Sequence, residues 1–321
     1  MKGFSHRDAY EWFERHGVRL TIQEDQCVFP MSQDSHTIIN CFLGEARRHN
    51  VEIRTETKIN SLDELSDYDF IAVTTGGSPK AESLRWLEDH DIVSPVPSLF
   101  TFQIEDKALQ SLMGTVVENA VAMIPGTKMR SEGPLLITHW GMSGPAILKL
   151  SSYAARYLAE NDYRSQIAVN WTNLRDSEVS AQLDEIIIRY SQKQIQTISP
   201  FGLSSRLWDY LSAKCLGDRV NGRWCSLNGK ERNRLANMLS GGDIYEITGR
   251  AAFKDEFVTC GGVSLYSVNP ATLESRHVPH LYFAGEVLDI DGVTGGFNFQ
   301  AAWTTAYTVA QAIRKAAIDI V

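Results

Sequence analysis

Apolar residues recur at every third or fourth position in several stretches of the chain, which is the spacing of an amphipathic helix. These stretches predict helices over residues 5–16, 35–50, 177–194, 204–216 and 229–239, and a last helix from Gly295 to the C-terminus. Ser5 is the expected N-cap of the first helix, and Gly241-Gly242 are expected to end the helix over 229–239. Short apolar runs bounded by turn residues predict strands over residues 18–22, 27–29, 51–55, 70–74, 257–263 and 281–284. Strands and helices alternate at both ends of the chain, so an α/β fold is expected there.

The middle of the chain follows a different pattern. From about Ser94 onward, prolines and turn residues separate alternating apolar segments, which indicates antiparallel strands. One strand is expected over 135–140, before a helix that starts near Pro145 and ends near Glu160. Residues 175–245 are expected to be mostly helical. With 321 residues, 43% of them hydrophobic, the chain is long enough for two domains.

Three predicted strands run directly into glycines. They are the strand over 70–74, followed by Gly76-Gly77; the strand over 257–263, which contains Gly261-Gly262; and the strand over 281–284, followed by Gly285. The run over 70–74 is nearly all apolar, so burial on both faces is expected. In an open parallel sheet, ligands bind outside the carboxyl ends of the strands. Gly295 and Gly296, at a helix start, add backbone N–H donors. The sequence therefore predicts a site for a planar or anionic ligand.

The charge balance argues against some classes of partner. The formal net charge is −8 and the isoelectric point is near 5.5, so binding to nucleic acid or to a membrane surface is not expected. We find no run of about 18 apolar residues, and the N-terminus is polar, so we expect no membrane span, no signal peptide and a cytoplasmic protein. The five cysteines lack the spacing of metal ligands, and no metal site is expected.

Residues 141–145, Gly-Met-Ser-Gly-Pro, partly match the G-x-S-x-G nucleophile elbow of hydrolases. The match fails at Pro145, and no neighbouring residue is identified as the acid or histidine partner. Ser143 or Gly144 is expected instead to cap the helix that follows. A hydrolase with Ser143 as nucleophile is the third hypothesis for function. No catalytic residue is identified, and His139, at a strand end, is the candidate for contact with a ligand.

A family resemblance is carried by six segments of the sequence: CVFPMSQDS, FIAVTTGGSPK, ITHWGMSGPAI, FVTCGGVSL, NPATLESR and LYFAGEVLDIDGVTGGFNFQAAW. In this order they resemble the bacterial YhiN/BaiN-like flavoprotein family of NAD(P)/FAD-dependent oxidoreductases. The resemblance covers nearly the whole chain, and the last motif is highly specific. It implies a Rossmann-type FAD-binding domain over 1–95 and 256–321. An inserted β-barrel-plus-helices domain would occupy 96–255, β-rich over 96–172 and helical over 173–255.

The resemblance also implies which residues hold the FAD. The ribityl chain and pyrophosphate would lie near Gly285, Glu286 and Asp289, the flavin ring near Gly295, Gly296 and Asn298, and the adenosine near Ile59, Thr75, Gly76 and Gly77. A helix N-terminus at the N1/O2 edge of the flavin offers N–H donors where negative charge develops on reduction. Such a helix start would favour the reduced flavin.

One feature of the family is not found in this sequence. Family members begin with a strand and G-x-G-x-x-G, whose glycines hold the FAD pyrophosphate at a helix start. The chain contains no such motif, and its first residue corresponds to a position roughly 80 to 90 residues into the family pattern. Three explanations stay open: a fragment of a longer gene product, a natural truncation whose gap another chain fills, and a paralogue that has lost cofactor binding.

Two functional hypotheses follow. The leading one is an FAD-dependent oxidoreductase, present without its dinucleotide-binding start, whose flavin passes a hydride between NADH or NADPH and a small-molecule substrate. The alternative is a cofactor-free paralogue or fragment that acts as a binding or interaction protein. The sequence identifies neither the substrate nor the oligomeric state.

Overall fold

The structure, a computed structural model, describes residues 3–24, 26–78, 80–87, 89–251 and 258–320. The helices are α1 (His6–Arg15), α2 (His36–Arg48), α3 (Lys107–Gln110), α4 (Pro145–Tyr153), α5 (Ala155–Glu160), α6 (Asp176–Arg189), α7 (Ser205–Leu216), α8 (Gly229–Leu239) and α9 (Gly295–Ile320). The strands are β1 (Leu20–Ile22), β2 (Val28–Pro30), β3 (Ile71–Val73), β4 (Ile92–Ser98), β5 (Thr101–Gln103), β6 (Val116–Met123), β7 (Arg130–Ile137), β8 (Gly141–Ser143), β9 (Ser165–Asn170), β10 (Ser240–Ile247), β11 (Gly249–Ala251), β12 (Val258–Val263) and β13 (Leu281–Phe283). The chain divides into two compact units, Met1–Val96 with Val258–Val321, and Pro97–Phe257.

The core of the first unit forms around the parallel pair β3 and β13. Leu281 lies opposite Ile71 and Phe283 opposite Val73, and all three residues of β13 are buried, as an apolar run in a parallel sheet requires. A second pair joins β12 to β4, and α9 packs against β13. The strands predicted over 18–22 and 27–29 also form, as β1 and β2, and they pair antiparallel. The mixture of parallel strands and helices confirms the expected α/β class.

The two ends of the first unit meet at α1 and α9. Ser5 caps α1 as predicted: its hydroxyl accepts the Asp8 N–H, and the Asp8 carboxylate accepts the Ser5 N–H at 2.7 Å. This capping box satisfies two backbone donors at the helix start. The Thr304 hydroxyl donates to the carbonyl of Phe4 at 2.7 Å, and the Phe13 ring lies 5.1 Å from Trp303. The N-terminal segment is therefore fixed against α9.

Two strand predictions in the first unit are wrong in whole or in part. Residues 51–55 form no strand, and Val51 and Ile53 are 57% and 56% exposed. Among the described residues no neighbouring strand pairs with this segment, and β structure needs such a partner for its backbone groups. The strand over 70–74 does form as β3, but Ala72 is exposed, so burial on both faces is wrong. The strand predicted over 257–263 forms as β12, and its first predicted residue, Phe257, lies outside the described residues.

His90 makes the stability of the first unit depend on pH. Its ring is 5% exposed, packs edge-on against Phe283, and has Nε2 2.7 Å from the Ser275 hydroxyl. Burial first, and the charge of His277 second, lower the pKa of His90 below its usual value. The unfolded chain then binds a proton more readily than the folded chain, so the free energy of unfolding should decrease as the pH falls below about 6.5.

Urea unfolding at neutral pH and at about one pH unit below the usual histidine pKa checks this prediction. His90→Gln should lose less stability than the wild type between the two conditions, because glutamine does not titrate. His6→Gln, which replaces an exposed histidine, should lose as much stability as the wild type. If the free energy of unfolding decreases by the same amount in His90→Gln as in the wild type, the pH dependence does not come from His90.

The second unit is built on a curved antiparallel sheet. Within the described residues its strands follow the order β10-β9-β6-β7-β8-β5-β11. β10 and β11 stand at opposite ends of this order, yet Thr248 alone separates them along the chain. The sheet must therefore curl until its two ends meet, which closes it into a barrel. Helices α6 and α7 pack on α8, and α8 packs on β10 and β9 of the barrel.

Three local predictions in the second unit need correction. Gly241 and Gly242 do not end a helix, because α8 stops at Leu239 and both glycines belong to β10. The strand expected over 135–140 forms earlier, as β7, and the helix expected to reach Glu160 is interrupted at Ala154 between α4 and α5. Of the two candidate caps, Gly144 is the N-cap of α4, with φ of +88°. Ser143 lies in β8, and its hydroxyl is 2.7 Å from that of Thr101.

Candidate functional site

The loops that follow β3 and β13 begin at the same edge of the sheet. Phe283 is in register with Val73, and the N–H of Ala284 donates to the carbonyl of Val73 at 3.1 Å. The loop 74–77 and Gly285 therefore both lie at one carboxyl edge, where ligands of parallel sheets bind. The φ of Gly285 is +77°, in the left-handed region that glycine adopts without strain.

The carboxylate of Glu286 joins three segments at this edge. Its Oε1 accepts the N–H of Thr259, in β12, at 2.6 Å. A Cβ at Gly77 would overlap both the Glu286 carboxylate and the Thr259 hydroxyl, so Gly77 lies directly against them. The structure thus brings together the loop that contains Thr75, Gly76 and Gly77, the strand β12, and the turn after β13. Sequence reasoning missed Thr259, and the only signal for it was its place just before Cys260-Gly261-Gly262.

Gly77→Ala should lower the free energy of unfolding by about 1–3 kcal/mol, the usual cost of an added methyl group in a filled space. The new Cβ would force the Glu286 carboxylate away from the Thr259 N–H. The matched control is Gly44→Ala in α2, where a Cβ meets no described atom within 4 Å, and alanine should stabilise the helix by up to about 1 kcal/mol. Thermal unfolding of both variants checks the prediction, and equal shifts of Tm would contradict it.

The segment after Glu286 runs alongside β12. Leu288 forms a parallel bridge with Val263, and the N–H of Asp289 donates to the carbonyl of Val263 at 2.9 Å. Gly262 makes this approach possible, because a Cβ there would collide with the backbone of Val287 and its φ is +137°. Asp289, a predicted ligand of the cofactor, is therefore positioned through its backbone by β12.

Asn298 closes the loop that leads into α9. Its side-chain oxygen accepts the N–H of Gly292 at 2.7 Å, while its side-chain nitrogen donates to the carbonyls of Gly292 and Thr294 at 3.0 and 2.9 Å. The N–H of Gly285 donates to the Thr305 hydroxyl at 2.8 Å, which fixes the turn after β13 against α9. The amide of Asn298 thus shapes the loop before the helix start.

Gly295 and Gly296, the first residues of α9, face open space. Both are exposed, and a Cβ at either position meets no described atom within 4 Å. Packing within the described residues therefore does not require glycine here, although glycine costs a helix about 1 kcal/mol relative to alanine. The backbone N–H groups at this end of α9 carry the positive end of the helix dipole. A planar or anionic group could approach them closely.

Two predicted site residues belong to other segments of the chain than those described above. Ile59 is half-buried in the stretch 51–60, which contains neither helix nor strand. His139 belongs to the second unit, is exposed, and has its ring centroid 4.4 Å from that of Trp140.

Two other features are absent from the described part of the chain. No cluster of three or more His, Cys, Asp or Glu side chains there is arranged to hold a metal ion. Among the helices of that part, none combines the length and the apolar character needed to cross a membrane. The site at the sheet edge is thus described by glycines, backbone donors and the carboxylate of Glu286.

Comparison with known proteins identifies relatives that match most of the chain. The ribosomal RNA dihydrouridine synthase of Escherichia coli is 32% identical over 334 residues, which cover 96% of this chain and 79% of the relative. The protein of the same name from Haemophilus influenzae is 29% identical, over 70% of this chain and 53% of that protein. The 3-dehydro-bile acid delta(4,6)-reductase of Clostridium scindens is 25% identical, over 97% of this chain and 81% of the reductase.

The family comparison gives the same result for nearly the full length. Residues 1–312 match the HI0933-like protein Rossmann domain. This match spans both the glycine-rich loops of the first unit and the barrel and helices of the second. It confirms the resemblance that the sequence motifs carry, and the chain belongs to the HI0933-like, YhiN/BaiN-like flavoprotein family.

Proposed function

We propose that this protein is a flavin-dependent reductase that acts on a carbon–carbon double bond conjugated to a carbonyl group. Dihydrouridine differs from uridine by the saturation of one ring double bond beside a carbonyl. A 3-dehydro bile acid with delta(4,6) unsaturation has its double bonds conjugated to a ketone. The names of both relatives therefore describe one chemistry, the addition of a hydride and a proton to an activated double bond. The higher identity to the E. coli relative, 32% against 25%, favours the uracil ring of RNA as the substrate.

The observation that carries the proposal is the open start of α9. Gly295 and Gly296 are exposed, and no described atom lies within 4 Å of a Cβ built at either position. The helix dipole places positive potential at this helix start. An FAD whose ring approaches this helix start explains why glycine occupies positions where alanine would stabilise the helix. When bound, the flavin supplies the hydride to the double bond.

Residues of the first unit bind and orient that cofactor in this proposal. The N–H groups at the start of α9 stabilise negative charge on the flavin ring, and Asn298 keeps the preceding loop in the shape that exposes them. The ribityl chain and pyrophosphate are assigned to Gly285, Glu286 and Asp289. The adenosine is assigned to Ile59, Thr75, Gly76 and Gly77. NADH or NADPH is the proposed reductant.

A visible absorption spectrum tests the proposal. The purified chain, mixed with excess FAD and then separated from unbound flavin, should retain the flavin band. Anaerobic NADH or NADPH should bleach that band, and an oligouridylate should restore it while a bile-acid enone should not. A protein that stays colourless after reconstitution would contradict flavin binding by this chain and would support the alternative of a cofactor-free binding protein.

A further inference from the structure

The described part of the second unit contains a small cavity where β7 meets α4. It has a volume of about 250 Å³ and is lined by Arg130, Ser131, Glu132, Lys149 and Tyr153. We call it the Arg130 cavity. None of these five residues takes part in the flavin site proposed above. Its volume is below the range of roughly 300–1,000 Å³ typical of pockets for drug-sized ligands, so it suits one small unit of a larger molecule.

The walls of the Arg130 cavity are held in place by packing. The buried hydroxyl of Ser131 donates to the carbonyl of Ala146, which ties β7 to the first turn of α4. A Cβ at Gly133 would lie 3.7 Å from Pro145, so the strand and the helix are in close contact beyond the cavity as well. Lys149 and Tyr153 are four residues apart on α4 and therefore lie on one face of the helix. The lining side chains thus come from two rigid elements.

Two positively charged side chains of the Arg130 cavity form no ion pair or hydrogen bond with any other described residue. Within the described ranges, neither Arg130 nor Lys149 has an ion-pair or hydrogen-bond partner for its side chain. The stretch from Lys128 to Arg156 contains four lysines and arginines and a single acidic residue, Glu132, although the chain as a whole has a net charge of −8. Unpaired arginine and lysine side chains in a concave surface favour an anionic ligand, and arginine suits phosphate in particular.

Tyr153 and Glu132 indicate which kind of anion the cavity can bind. Tyr153 is 52% exposed, so its ring offers an open face on which a planar base can stack. The Glu132 carboxylate only accepts hydrogen bonds, so it suits a ligand with N–H or O–H groups and repels a bare phosphate dianion. Phosphate, a planar ring and hydrogen-bond donors occur together in a ribonucleotide, whose internal phosphodiester carries one negative charge.

We infer that the Arg130 cavity binds one nucleotide of a single-stranded RNA, with its phosphate against Arg130 and Lys149, its base on Tyr153, and Glu132 accepting from the base or the ribose. The inference rests on the RNA substrate of the proposed function. It deepens that function, because it assigns a surface that binds a nucleotide of the RNA other than the reacting uridine. It opposes the expectation, based on net charge, that the protein binds no nucleic acid. Net charge does not describe a local surface.

Fluorescence anisotropy of a short fluorescein-labelled oligouridylate, with the full chain and without flavin or reductant, tests the inference. Arg130→Gln/Lys149→Gln should weaken binding by roughly tenfold and reduce the slope of log K against log salt by about 1.4, because each phosphate contact on a single strand contributes about 0.7. Tyr153→Ser should weaken binding by about fivefold or more and leave the slope unchanged, because stacking is not a charge contact. Unlabelled NADPH should not displace the RNA.

The matched control is Lys107→Gln/Lys230→Gln, which removes two exposed lysines of the same unit outside the cavity. It should leave both affinity and salt slope close to the wild type, and all variants should keep the wild-type Tm. Equal weakening in the control and the cavity variant, no binding of oligouridylate by the wild type, or displacement by NADPH would overturn the inference. Flavin retention is measured separately, so a protein that holds FAD but not RNA refutes this inference alone.

Discussion

Asp243→Ala is expected to lower the free energy of unfolding of the second unit by about 3–5 kcal/mol, the cost of removing one partner of a buried ion pair. Asp243 is 2% exposed and accepts hydrogen bonds from Trp171 Nε1 at 2.8 Å and from the Tyr245 hydroxyl at 2.6 Å. Its other oxygen lies 2.7 Å from Lys214 Nζ. Alanine would leave two buried donors and one ammonium group without their acceptor. Urea unfolding monitored by tryptophan fluorescence measures the loss.

The companion variants separate the charge from the hydrogen bonds. Lys214→Met should cost less than Asp243→Ala, because the lysine side chain is 34% exposed. Asp243→Ala/Lys214→Met should recover part of the stability, since no unpaired charge remains. Burial, followed by the charge of Asp243, raises the pKa of Tyr245, so its hydroxyl stays a donor and the loss should be the same from neutral to mildly alkaline pH. A double variant no more stable than Asp243→Ala would contradict this account.

Local signals in the sequence predicted the elements that depend on local interactions. The Ser5 and Asp8 side chains form the capping box of α1, and the apolar run 281–284 forms the buried strand β13. Helix α8 begins at Gly229 and ends at Leu239, as its pattern predicted. In each case the residues that determine the element are its own or its immediate neighbours, so the sequence contains the necessary information.

Predictions failed where the outcome depends on distant partners. The segment 51–55 has the composition of a strand, but strand formation requires a neighbour that pairs with it, and the described residues provide none. Gly241 and Gly242 resemble a helix end, yet β10 continues through them because β9 pairs with this stretch, with a register shift between Ser240 and Asp243. Pairing across the barrel therefore overrides the local glycine signal.

The candidate site was predictable in part. Glycines at strand ends indicated the loops, and the structure brings the loop containing Gly76 and Gly77 to the turn at Gly285 and Glu286. The contact between Glu286 and Thr259 was not predictable, because Thr259 lies on β12 and approaches only through the tertiary structure. The Arg130 cavity was missed because its two cations lie on different elements, β7 and α4, with β8 between them along the chain, and because acidic residues outweigh them in the total charge.

Gly296→Ala is expected to weaken FAD binding by at least about tenfold, or about 1.4 kcal/mol, while leaving the fold intact. A Cβ at this position meets no described atom of the protein within 4 Å, so alanine should stabilise α9 slightly through its helix propensity. The same methyl group would stand between the flavin ring and the N–H groups at the helix start, where the proposed function needs a close approach. Fluorescence titration with FAD measures the affinity, and thermal unfolding without FAD measures the stability.

Gly229→Ala makes the comparison specific to the site. Gly229, like Gly296, lies in the first turn of a helix, and a Cβ there likewise meets no described atom within 4 Å. Both variants should therefore keep or raise the Tm of the flavin-free protein, and Gly296→Ala alone should lose FAD affinity. If both bind FAD as the wild type does, the flavin does not approach the start of α9, and the glycines there need another explanation. If both variants lose affinity for FAD, the loss does not come from the start of α9 alone, because Gly229 lies in the second unit.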